Sequence, residues 1–184
     1  MTTNRKVILF ISMSLDGYIA KRDDNIDFLS VVDQAGEDYG YFEFIKSTDT
    51  VIIGRKTYDN VVAMGFEYPH HDKDVYIITR HDRPVLTEST FRFYSGDLKE
   101  LIIKLKEAEG KHIYCDGGAE IVNELLREDL IDEFVISIIP VLLGDGIPLF
   151  KNGRPESHLK LINSTHYEKG LVQVHYERIR QCGN

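Results

Sequence analysis

The sequence contains only two cysteines among its 184 residues, Cys115 and Cys182. Two cysteines cannot provide the disulfide framework that stabilises many small secreted domains. A chain of this length can also bury enough apolar surface to fold without disulfides or a structural metal. We therefore expect a protein of the reducing cytoplasm.

Positive charge and long apolar runs are also scarce. The chain has 22 lysines and arginines against 30 aspartates and glutamates, which gives a formal net charge of −8. A nucleic-acid-binding surface needs an excess of basic residues, so we expect no nucleic-acid partner. No apolar stretch approaches the ~18 residues of a membrane-spanning helix, and the short run Val7–Ile11 does not resemble a secretory signal. We expect no membrane association.

Several motifs of well-known chemistries are missing as well. The sequence has no GxGxxG dinucleotide fingerprint, no HExxH or CxxC metal motif and no GxSxG nucleophile motif. The string His70-His71-Asp72 lies between apolar segments and is typical of an exposed polar loop. These absences argue against a resident metal ion and against a serine hydrolase.

What the sequence does contain is an alternation of strand-like and helix-like segments, which we interpret as one domain over residues 1–184. Short runs that are apolar on both faces predict buried parallel strands. The predicted strands are Val7–Ser14, Thr50–Ile53, Val75–Thr79, His112–Cys115 and Glu133–Val141. The predicted helices are Glu37–Lys46, Lys56–Ala63, Leu98–Leu105 and Ile121–Leu126.

The end of the chain has a different pattern. Leu159–Tyr167 and Leu171–Ile179 flank a Glu-Lys-Gly turn, and the second segment alternates apolar and polar residues. This pattern predicts a β-hairpin. The sequence as a whole therefore predicts an α/β fold, a three-layer sandwich whose mostly parallel central sheet is closed by an antiparallel C-terminal hairpin. In such sheets ligands bind at the carboxyl ends of the strands.

Three of those strand ends carry residues that suit an anionic ligand. They are Gly54-Arg55-Lys56-Thr57, Thr79-Arg80 and Gly117-Gly118-Ala119-Glu120. Glycines at a helix N-terminus and clustered cations are features of phosphate sites. Each string also has a simpler interpretation: a solvated turn with a threonine cap, ordinary surface charge, or a tight turn without a ligand.

Together these strings resemble the dihydrofolate reductase-like superfamily. More specifically, they are similar to the C-terminal reductase domain of the bifunctional riboflavin-biosynthesis enzyme and its small stand-alone relatives. The segments that carry the resemblance are Ser12–Ala20, Val51–Tyr58, Asp116–Glu120 and Pro140–Phe150. Four such segments in the same order are much more specific than any one of them.

The resemblance implies an NADPH-dependent oxidoreductase, most like 5-amino-6-(5-phosphoribosylamino)uracil reductase. Hydride would pass from the nicotinamide to a C=N or C=O carbon of a flat, polar heterocycle or a sugar. The cofactor-binding residues that the resemblance implies are Gly17, Gly54, Arg55, Lys56, Thr57, Thr79, Arg80, Gly117, Gly118, Ala119 and Glu120. Asp16, in the loop over the nicotinamide, is a catalytic candidate.

The substrate side of the resemblance is open. Asp38 lies sixteen residues before Gly54, where dihydrofolate reductases place a catalytic acid, and Phe42 follows four residues later. Asp38 is therefore a second catalytic candidate and Phe42 a substrate-stacking candidate. The alternatives are a dihydrofolate or other pteridine reductase, or a cofactor-binding module without the chemistry.

The resemblance carries two further expectations. One is a cis peptide bond between Gly117 and Gly118, although such bonds are rare outside proline. The other is a homodimer whose interface lies near the apolar segment Pro140–Phe150, because exposed apolar surface favours association.

Overall fold

The computed structural model describes residues 5–65, 67–81 and 90–180, so Cys182 lies outside the described residues. The strands are β1 (Val7–Ser14), β2 (Tyr18–Ala20), β3 (Thr48–Gly54), β4 (Asp74–Ile78), β5 (Phe91–Tyr94), β6 (His112–Gly117), β7 (Glu133–Ile139), β8 (Ile147–Pro148), β9 (His158–His166) and β10 (Val172–Ile179). The helices are α1 (Tyr41–Lys46), α2 (Arg55–Ala63), α3 (Leu98–Glu107) and α4 (Ala119–Arg127), with a 3₁₀ helix at Asp27–Val32.

Eight of these strands form one sheet in the order β5-β4-β3-β6-β1-β7-β10-β9. Neighbours from β5 to β7 pair in parallel, and β7, β10 and β9 pair antiparallel. Strands β2 and β8 form a separate two-stranded sheet. The predicted mostly parallel sheet closed by a C-terminal hairpin is confirmed.

The strands alternate their side chains between two apolar cores, one on each face of the sheet. On one face, Leu9 of β1 lies between Cys115 and Phe134 in register and packs under α3 and α4. On the other face, Val51 and Tyr114 pack with side chains of α1 and α2. The helices therefore cover both faces, as the sequence pattern predicts for a three-layer sandwich.

Helices α3 and α4 follow their predicted apolar stripes. The buried side chains of α3 are Leu98, Leu101, Ile102 and Leu105. Burying one such side chain stabilises a fold by about 1.5–3 kcal/mol, so this stripe fixes the helix on the sheet. Among the described residues, no helix is both long enough and apolar enough to span a bilayer.

The predicted helix Glu37–Lys46 is shorter in the structure and begins at Tyr41. Gly40 has a φ of +79°, in the left-handed region, which a helix cannot continue through. The residues before it, including Asp38, therefore form a turn, and this part of the sequence prediction is wrong.

Candidate functional site

The carboxyl ends of β1, β3, β4 and β6 meet at one edge of the sheet, where a cavity of about 1440 Å³ opens. This is the edge at which open α/β sheets bind their ligands. Single small ligands usually occupy ~300–1,000 Å³, so the cavity has room for two ligands side by side.

Two helices begin at the cavity wall without a side-chain cap. Gly54 precedes α2 and Gly118 precedes α4, and neither helix has a side chain that accepts a hydrogen bond from its first turn. Helix α3, whose N-cap Asp97 follows the cavity-lining residues Ser95 and Gly96, is capped instead, because Asp97 accepts a 2.9 Å hydrogen bond from the amide of Glu100. The first amides of α2 and α4 are therefore free to bind an anion.

The two glycine turns pack closely against each other. A Cβ atom on Gly118 would lie 2.8 Å from the hydroxyl oxygen of Thr57. A Cβ atom on Gly54 would lie 3.1 Å from a side-chain carbon of Ile121. The Gly117–Gly118 peptide bond is cis, which confirms the sequence prediction. These positions keep the backbone open to a ligand that approaches both helix ends.

Six arginine and lysine side chains of the described residues line the cavity. They are Arg22, Arg55, Lys56, Arg80, Arg127 and Lys151. Four of them are already paired: Arg22 with Asp145, Arg55 with Asp59, Lys56 with Asp24, and Lys151 with Glu120. Within the described residues, Arg80 and Arg127 have no acidic partner at ion-pairing distance. These two guanidinium groups are available to an anionic ligand.

Glu120 helps to locate the two free arginines. Its carboxylate lies in the first turn of α4 and bonds to the Lys151 ammonium group. That bond, with the nearby charges of Arg80 and Arg127, holds the pKa of Glu120 below its usual value. Arg80 follows β4, and Arg127, in the last turn of α4, lies seven residues after Glu120 and therefore on the same face of that helix.

Thr79 lines the cavity at the end of β4 and also makes local hydrogen bonds. The residue is buried, its hydroxyl group donates to the carbonyl of His81, and it accepts from the His81 amide. Thr79 therefore shapes the turn that carries Arg80. Its neighbour, rather than Thr79 itself, supplies the charge at the end of β4.

A carboxylate held by two tyrosines lies at the end of β6. The hydroxyl group of Tyr114 donates to one oxygen of Asp116 at 2.7 Å, and that of Tyr68 donates to the other at 2.5 Å. Burial raises the pKa values of both tyrosines above 10, so both remain hydrogen-bond donors at neutral pH. Asp116 lines the cavity and is fixed in place by both phenols.

Aromatic side chains extend this group. The ring of Tyr41 lies 6.3 Å from that of Tyr114, and its hydroxyl group bonds to His70 at 2.9 Å. Burial lowers the pKa of His70, which favours the neutral ring. Phe10 packs edge to face against Tyr41 at 5.6 Å. Phe10, Tyr41 and Tyr114 thus form an aromatic wall beside Asp116.

Asp16 connects two loops and does not line the cavity. Its carboxylate accepts hydrogen bonds from the hydroxyl of Ser14 at 2.6 Å and from the amides of Leu143 and Gly144 at 3.1 and 2.7 Å. The Ser14 bond, supported by these amides, holds the pKa of Asp16 below its usual value. Asp16 and Gly17 therefore position the turn between β1 and β2, whose following residues Ile19 and Ala20 reach the cavity.

Asp38 and Phe42 are not brought to the cavity. The Asp38 carboxylate accepts hydrogen bonds from the amides of Gly40 and Phe42 at 3.1 and 2.7 Å and so stabilises the start of α1. Phe42 is 66% exposed. A proton-donating role for Asp38 and a ring-stacking role for Phe42 do not fit this placement.

The structure brings most of the predicted cofactor residues together. Those that line the cavity are Gly54, Arg55, Lys56, Thr57, Thr79, Arg80, Gly118, Ala119 and Glu120. Arg127, Lys151 and Asp116 also line the cavity, although the sequence pattern assigned none of them a role. The signal for Asp116 was its position at the end of a central strand, directly before the two glycines.

A second, smaller cavity of about 260 Å³ lies near the amino end of β1. Its charged side chains are paired: Lys106 and Arg180 with Asp132 of the same cavity wall, and Lys6 with Glu133 next to it. It offers no free charge comparable with Arg80 or Arg127 among the residues that the structure describes.

The fold is that of the dihydrofolate reductase-like superfamily. The chain belongs to the RibD C-terminal domain family, whose model matches residues 5–173. It is 41% identical over 174 residues to the uncharacterised protein YwjB of Bacillus subtilis (strain 168). The aligned region covers 95% of this chain and 98% of YwjB.

Several solved structures share this fold. A protein from Shewanella sp. PV-4 assigned to riboflavin biosynthesis superposes with a TM-score of 0.86 at 32% identity, over 95% of this chain and 99% of that one. The deaminase/5-amino-6-(5-phosphoribosylamino)uracil reductase of Thermotoga maritima gives a TM-score of 0.68 at 15% identity, over 95% of this chain and 57% of that one. Dihydrofolate reductase from Enterococcus faecalis superposes with a TM-score of 0.63 at 12% identity, over 95% of this chain and 97% of that one. This similarity shows that the two proteins share the fold.

Proposed function

We propose that this protein is an NADPH-dependent reductase of a C=N or C=O bond in a flat, polar heterocycle. The observation that carries the proposal is the pair of uncapped helices, α2 and α4, whose free first turns meet at Gly54 and Gly118 in a cavity that two unpaired arginines also line. Free amides at a helix start suit a pyrophosphate group. The residues present therefore fit a phosphorylated dinucleotide.

The basic residues favour NADPH over NADH. The two cofactors differ by a phosphate on the adenosine ribose, and NAD-specific sites place an acid against the free hydroxyl group. Here the ends of β3 and β4 carry Arg55, Lys56 and Arg80. Arg80 and Arg127 are unpaired within the described residues, and the planar arginine fork can hold two phosphate oxygens.

The chain would divide the reaction between two parts of the cavity. Bound NADPH supplies a hydride from its nicotinamide ring. The aromatic wall of Phe10, Tyr41 and Tyr114 would hold a flat ring, and the Asp116 carboxylate would accept hydrogen bonds from ring N–H groups. The loop fixed by Asp16 would exclude water from one side of the reacting ring.

Two substrate classes are compatible with the family and the fold. One is the phosphoribosylated aminouracil of the riboflavin pathway, the reaction named for the Thermotoga maritima protein. The other is a pteridine, as in dihydrofolate reductases. A cofactor-binding module without catalysis is the alternative to both.

The cofactor can be tested by titrating the protein with NADPH and with NADH at low salt. Charge-assisted contacts contribute about 1.5–3 kcal/mol each, so we expect a preference for NADPH of about a hundredfold. The double substitution Arg80→Ala and Arg127→Ala should remove most of that preference and leave NADH affinity nearly unchanged.

The matched control is Arg92→Ala, because Arg92 lies on β5 and pairs with Asp74 outside the cavity wall. This variant should keep the full preference. Equal affinity of the unmodified protein for the two cofactors would contradict the proposal. Oxidation of NADPH with a panel of pteridines and aminopyrimidines then separates an enzyme from an inactive cofactor-binding module.

A further inference from the structure

A histidine behind the cavity wall is hydrogen-bonded to a tyrosine that belongs to the wall. Tyr41, the first residue of α1, lines the cavity, and its hydroxyl oxygen lies 2.9 Å from Nε2 of His70. His70 lies in the loop between α2 and β4 and does not line the cavity itself. The pair therefore connects the cavity to a residue outside it.

The other ring nitrogen of His70 is in contact with solvent. Within the described part of the chain, Nδ1 has no hydrogen-bond partner, and no buried side-chain nitrogen or oxygen is left without one. Since an unpaired nitrogen of this half-buried residue is then not buried, Nδ1 is accessible to water. An imidazole with one nitrogen on each side can pass a proton from water to its partner.

The backbone and the packing both hold this imidazole in place. His70 has a φ of +77°, in the left-handed region that few residues other than glycine adopt. Its carbonyl accepts a 3.0 Å hydrogen bond from the amide of Lys73, which closes the turn. The rings of Tyr68 and Tyr114 pack against the imidazole with centroids at 5.6 and 6.1 Å. The contact with Tyr41 is therefore a fixed feature of the fold.

The surroundings of His70 favour a neutral ring. Burial is the largest influence and lowers the pKa of His70. The charged and titratable groups nearby are Asp116, Lys73, Asp72 and His71, of which the two carboxylates raise that pKa and the other two lower it. A neutral imidazole carries one proton, and on Nε2 that proton is donated to the Tyr41 oxygen. The hydroxyl proton of Tyr41 is then free to enter a hydrogen bond in the cavity.

Tyr41 is suited to give up a proton only when a strong base forms beside it. Burial, together with the charge of Asp116, raises the pKa of Tyr41, so the phenol is protonated at neutral pH. Hydride addition to a C=N or C=O bond leaves a strongly basic nitrogen or oxygen, which a phenol can protonate. The neighbouring Tyr114 is less available, because its hydroxyl group donates to Asp116 at 2.7 Å.

We propose that Tyr41 donates the proton that completes the reduction and that His70 replaces this proton from solvent. The inference rests on the proposed function and names the proton source of that reaction. Tyr41 is a catalytic residue in this scheme, and His70, which acts through Tyr41, is a positioning residue.

The proposed step balances in protons and electrons. The substrate carbon gains a hydride with its two electrons, and the cofactor of the proposed function is oxidised by the same two electrons. The O–H bond of Tyr41 breaks as the N–H or O–H bond of the product forms. The Tyr41 oxygen takes the Nε2 proton of His70, and Nδ1 takes a proton from solvent. Both residues end uncharged, and exchange of the ring protons with water restores the first tautomer.

The first test needs neither substrate nor cofactor. In protein that carries nitrogen-15 histidine, NMR at mildly alkaline pH shows which ring nitrogen of His70 holds the proton, and the His70→Gln spectrum identifies the signals. We expect the proton on Nε2. A proton on Nδ1 overturns the inference, because Tyr41 would then donate to the ring and not into the cavity.

The second test follows NADPH oxidation with two probes, 7,8-dihydropterin and 5-amino-6-(5-phosphoribosylamino)uracil. Tyr41→Phe should lower kcat about a hundredfold or more, while the Kd for NADP⁺ changes less than about threefold. Tyr58→Phe is the matched control, because Tyr58 lies on α2 and does not line the cavity, and it should keep kcat. Unchanged kcat in Tyr41→Phe overturns the inference.

The third test separates proton supply from positioning. A glutamine at position 70 can still hydrogen-bond to Tyr41 but cannot take up a proton, so His70→Gln should lower kcat about tenfold. In the unmodified protein kcat should rise as the pH falls below 6.5, the ordinary pKa of histidine, because a protonated ring resupplies Tyr41 faster. That rise should be absent in His70→Gln and present in His71→Gln, a change at the exposed neighbour. Identical pH profiles of the unmodified protein and His70→Gln overturn the role of His70.

The inference and the proposed function fail by different measurements. Failure of NADPH to bind, or of both probes to be reduced by the unmodified protein, overturns the proposed function. A proton on Nδ1 of His70, or full activity of Tyr41→Phe, overturns the proton source alone and leaves the reductase proposal standing.

Discussion

At the scale of single residues, the most consequential arrangement is the carboxylate of Asp116 between two buried phenols. Each phenol donates one hydrogen bond, so the orientation of the carboxylate is set before any ligand arrives. A fixed acceptor loses little freedom when it binds, which favours tight and selective recognition. The same contacts connect two distant parts of the chain, because Tyr68 lies in a loop and Asp116 on β6.

We expect Tyr68→Phe to lower the free energy of unfolding by about 1.5–3 kcal/mol, the usual contribution of a buried hydrogen bond to a charged group. The measurement is urea denaturation. Tyr176→Phe is the matched control, because the Tyr176 hydroxyl group has no partner within the described residues, and its effect should stay within about 0.5 kcal/mol. Equal effects of the two substitutions would contradict the importance of the Asp116 contact.

The sequence could not reveal this arrangement. Tyr68 and Asp116 are separated by 48 residues, and an aspartate before two glycines is equally typical of an ordinary turn. Asp38 was a catalytic candidate because it lies sixteen residues before Gly54, and that spacing says nothing about which way the local backbone turns. The predicted helix Glu37–Lys46 would contain Asp38, but the left-handed Gly40 delays the start of the helix to Tyr41 and leaves Asp38 as a local cap.

At the scale of elements, the loop between β1 and β2 depends on Asp16. Three hydrogen bonds tie this carboxylate to Ser14, Leu143 and Gly144, so one residue joins the start of the chain to the segment before β8. The loop continues into Ile19 and Ala20, which line the cavity. The geometry of one cavity wall therefore depends on a residue outside it.

We expect Asp16→Ala to speed hydrogen exchange at the amides of Leu143 and Gly144, because both lose their acceptor. Asp23→Ala, in the neighbouring loop, should leave those two amides unchanged. Lowering the pH should have the same effect as Asp16→Ala. In the folded chain the pKa of Asp16 lies below its ordinary value of 3.8. The hydrogen bonds from Leu143 and Gly144 are therefore fully present at a pH above 3.8. They are lost as the pH falls below 3.8 and through the pKa that Asp16 has in the folded chain. Slow exchange of both amides in Asp16→Ala would contradict this role.

The central elements were the easiest to predict. Strand β1 matches its predicted bounds, Val7–Ser14, because residues that are apolar on both faces have few alternatives to a covered strand. Strand β5, Phe91–Tyr94, was missed because four residues interrupted by Arg92 give too short a pattern. The glycine turns of the cavity were predicted because glycine itself is the signal there.

At the scale of the whole molecule, the exposed apolar surface differs from the sequence expectation. Much of the segment Pro140–Phe150 packs within the chain, and Leu149 is fully buried, whereas Leu142 is 70% exposed. Further exposed apolar side chains lie on the C-terminal hairpin: Leu159, Leu161, Ile162, Val172 and Ile179. Strand β9 is also an edge of the sheet, where unpaired backbone groups favour association.

We expect a homodimer whose interface includes this hairpin. Sedimentation of the unmodified protein at micromolar concentration should give the mass of two chains. Leu161→Asp should shift the mass toward that of one chain, because it would bury a charge in an apolar interface. Leu142→Asp tests the segment Pro140–Phe150, where the sequence predicted the interface, and this variant should remain a dimer. A single-chain mass for the unmodified protein would contradict the dimer.

The uncapped N-termini of α2 and α4, at Gly54 and Gly118, also make the stability of the fold depend on the anions in solution. Amides that no side chain caps are satisfied by water or by a bound anion. A ligand that binds only the folded chain stabilises it by about 2.7 kcal/mol at a hundredfold excess over its Kd. The melting temperature is then a function of the phosphate-bearing solutes present, and preparations that retain different amounts of such solutes will unfold at different temperatures.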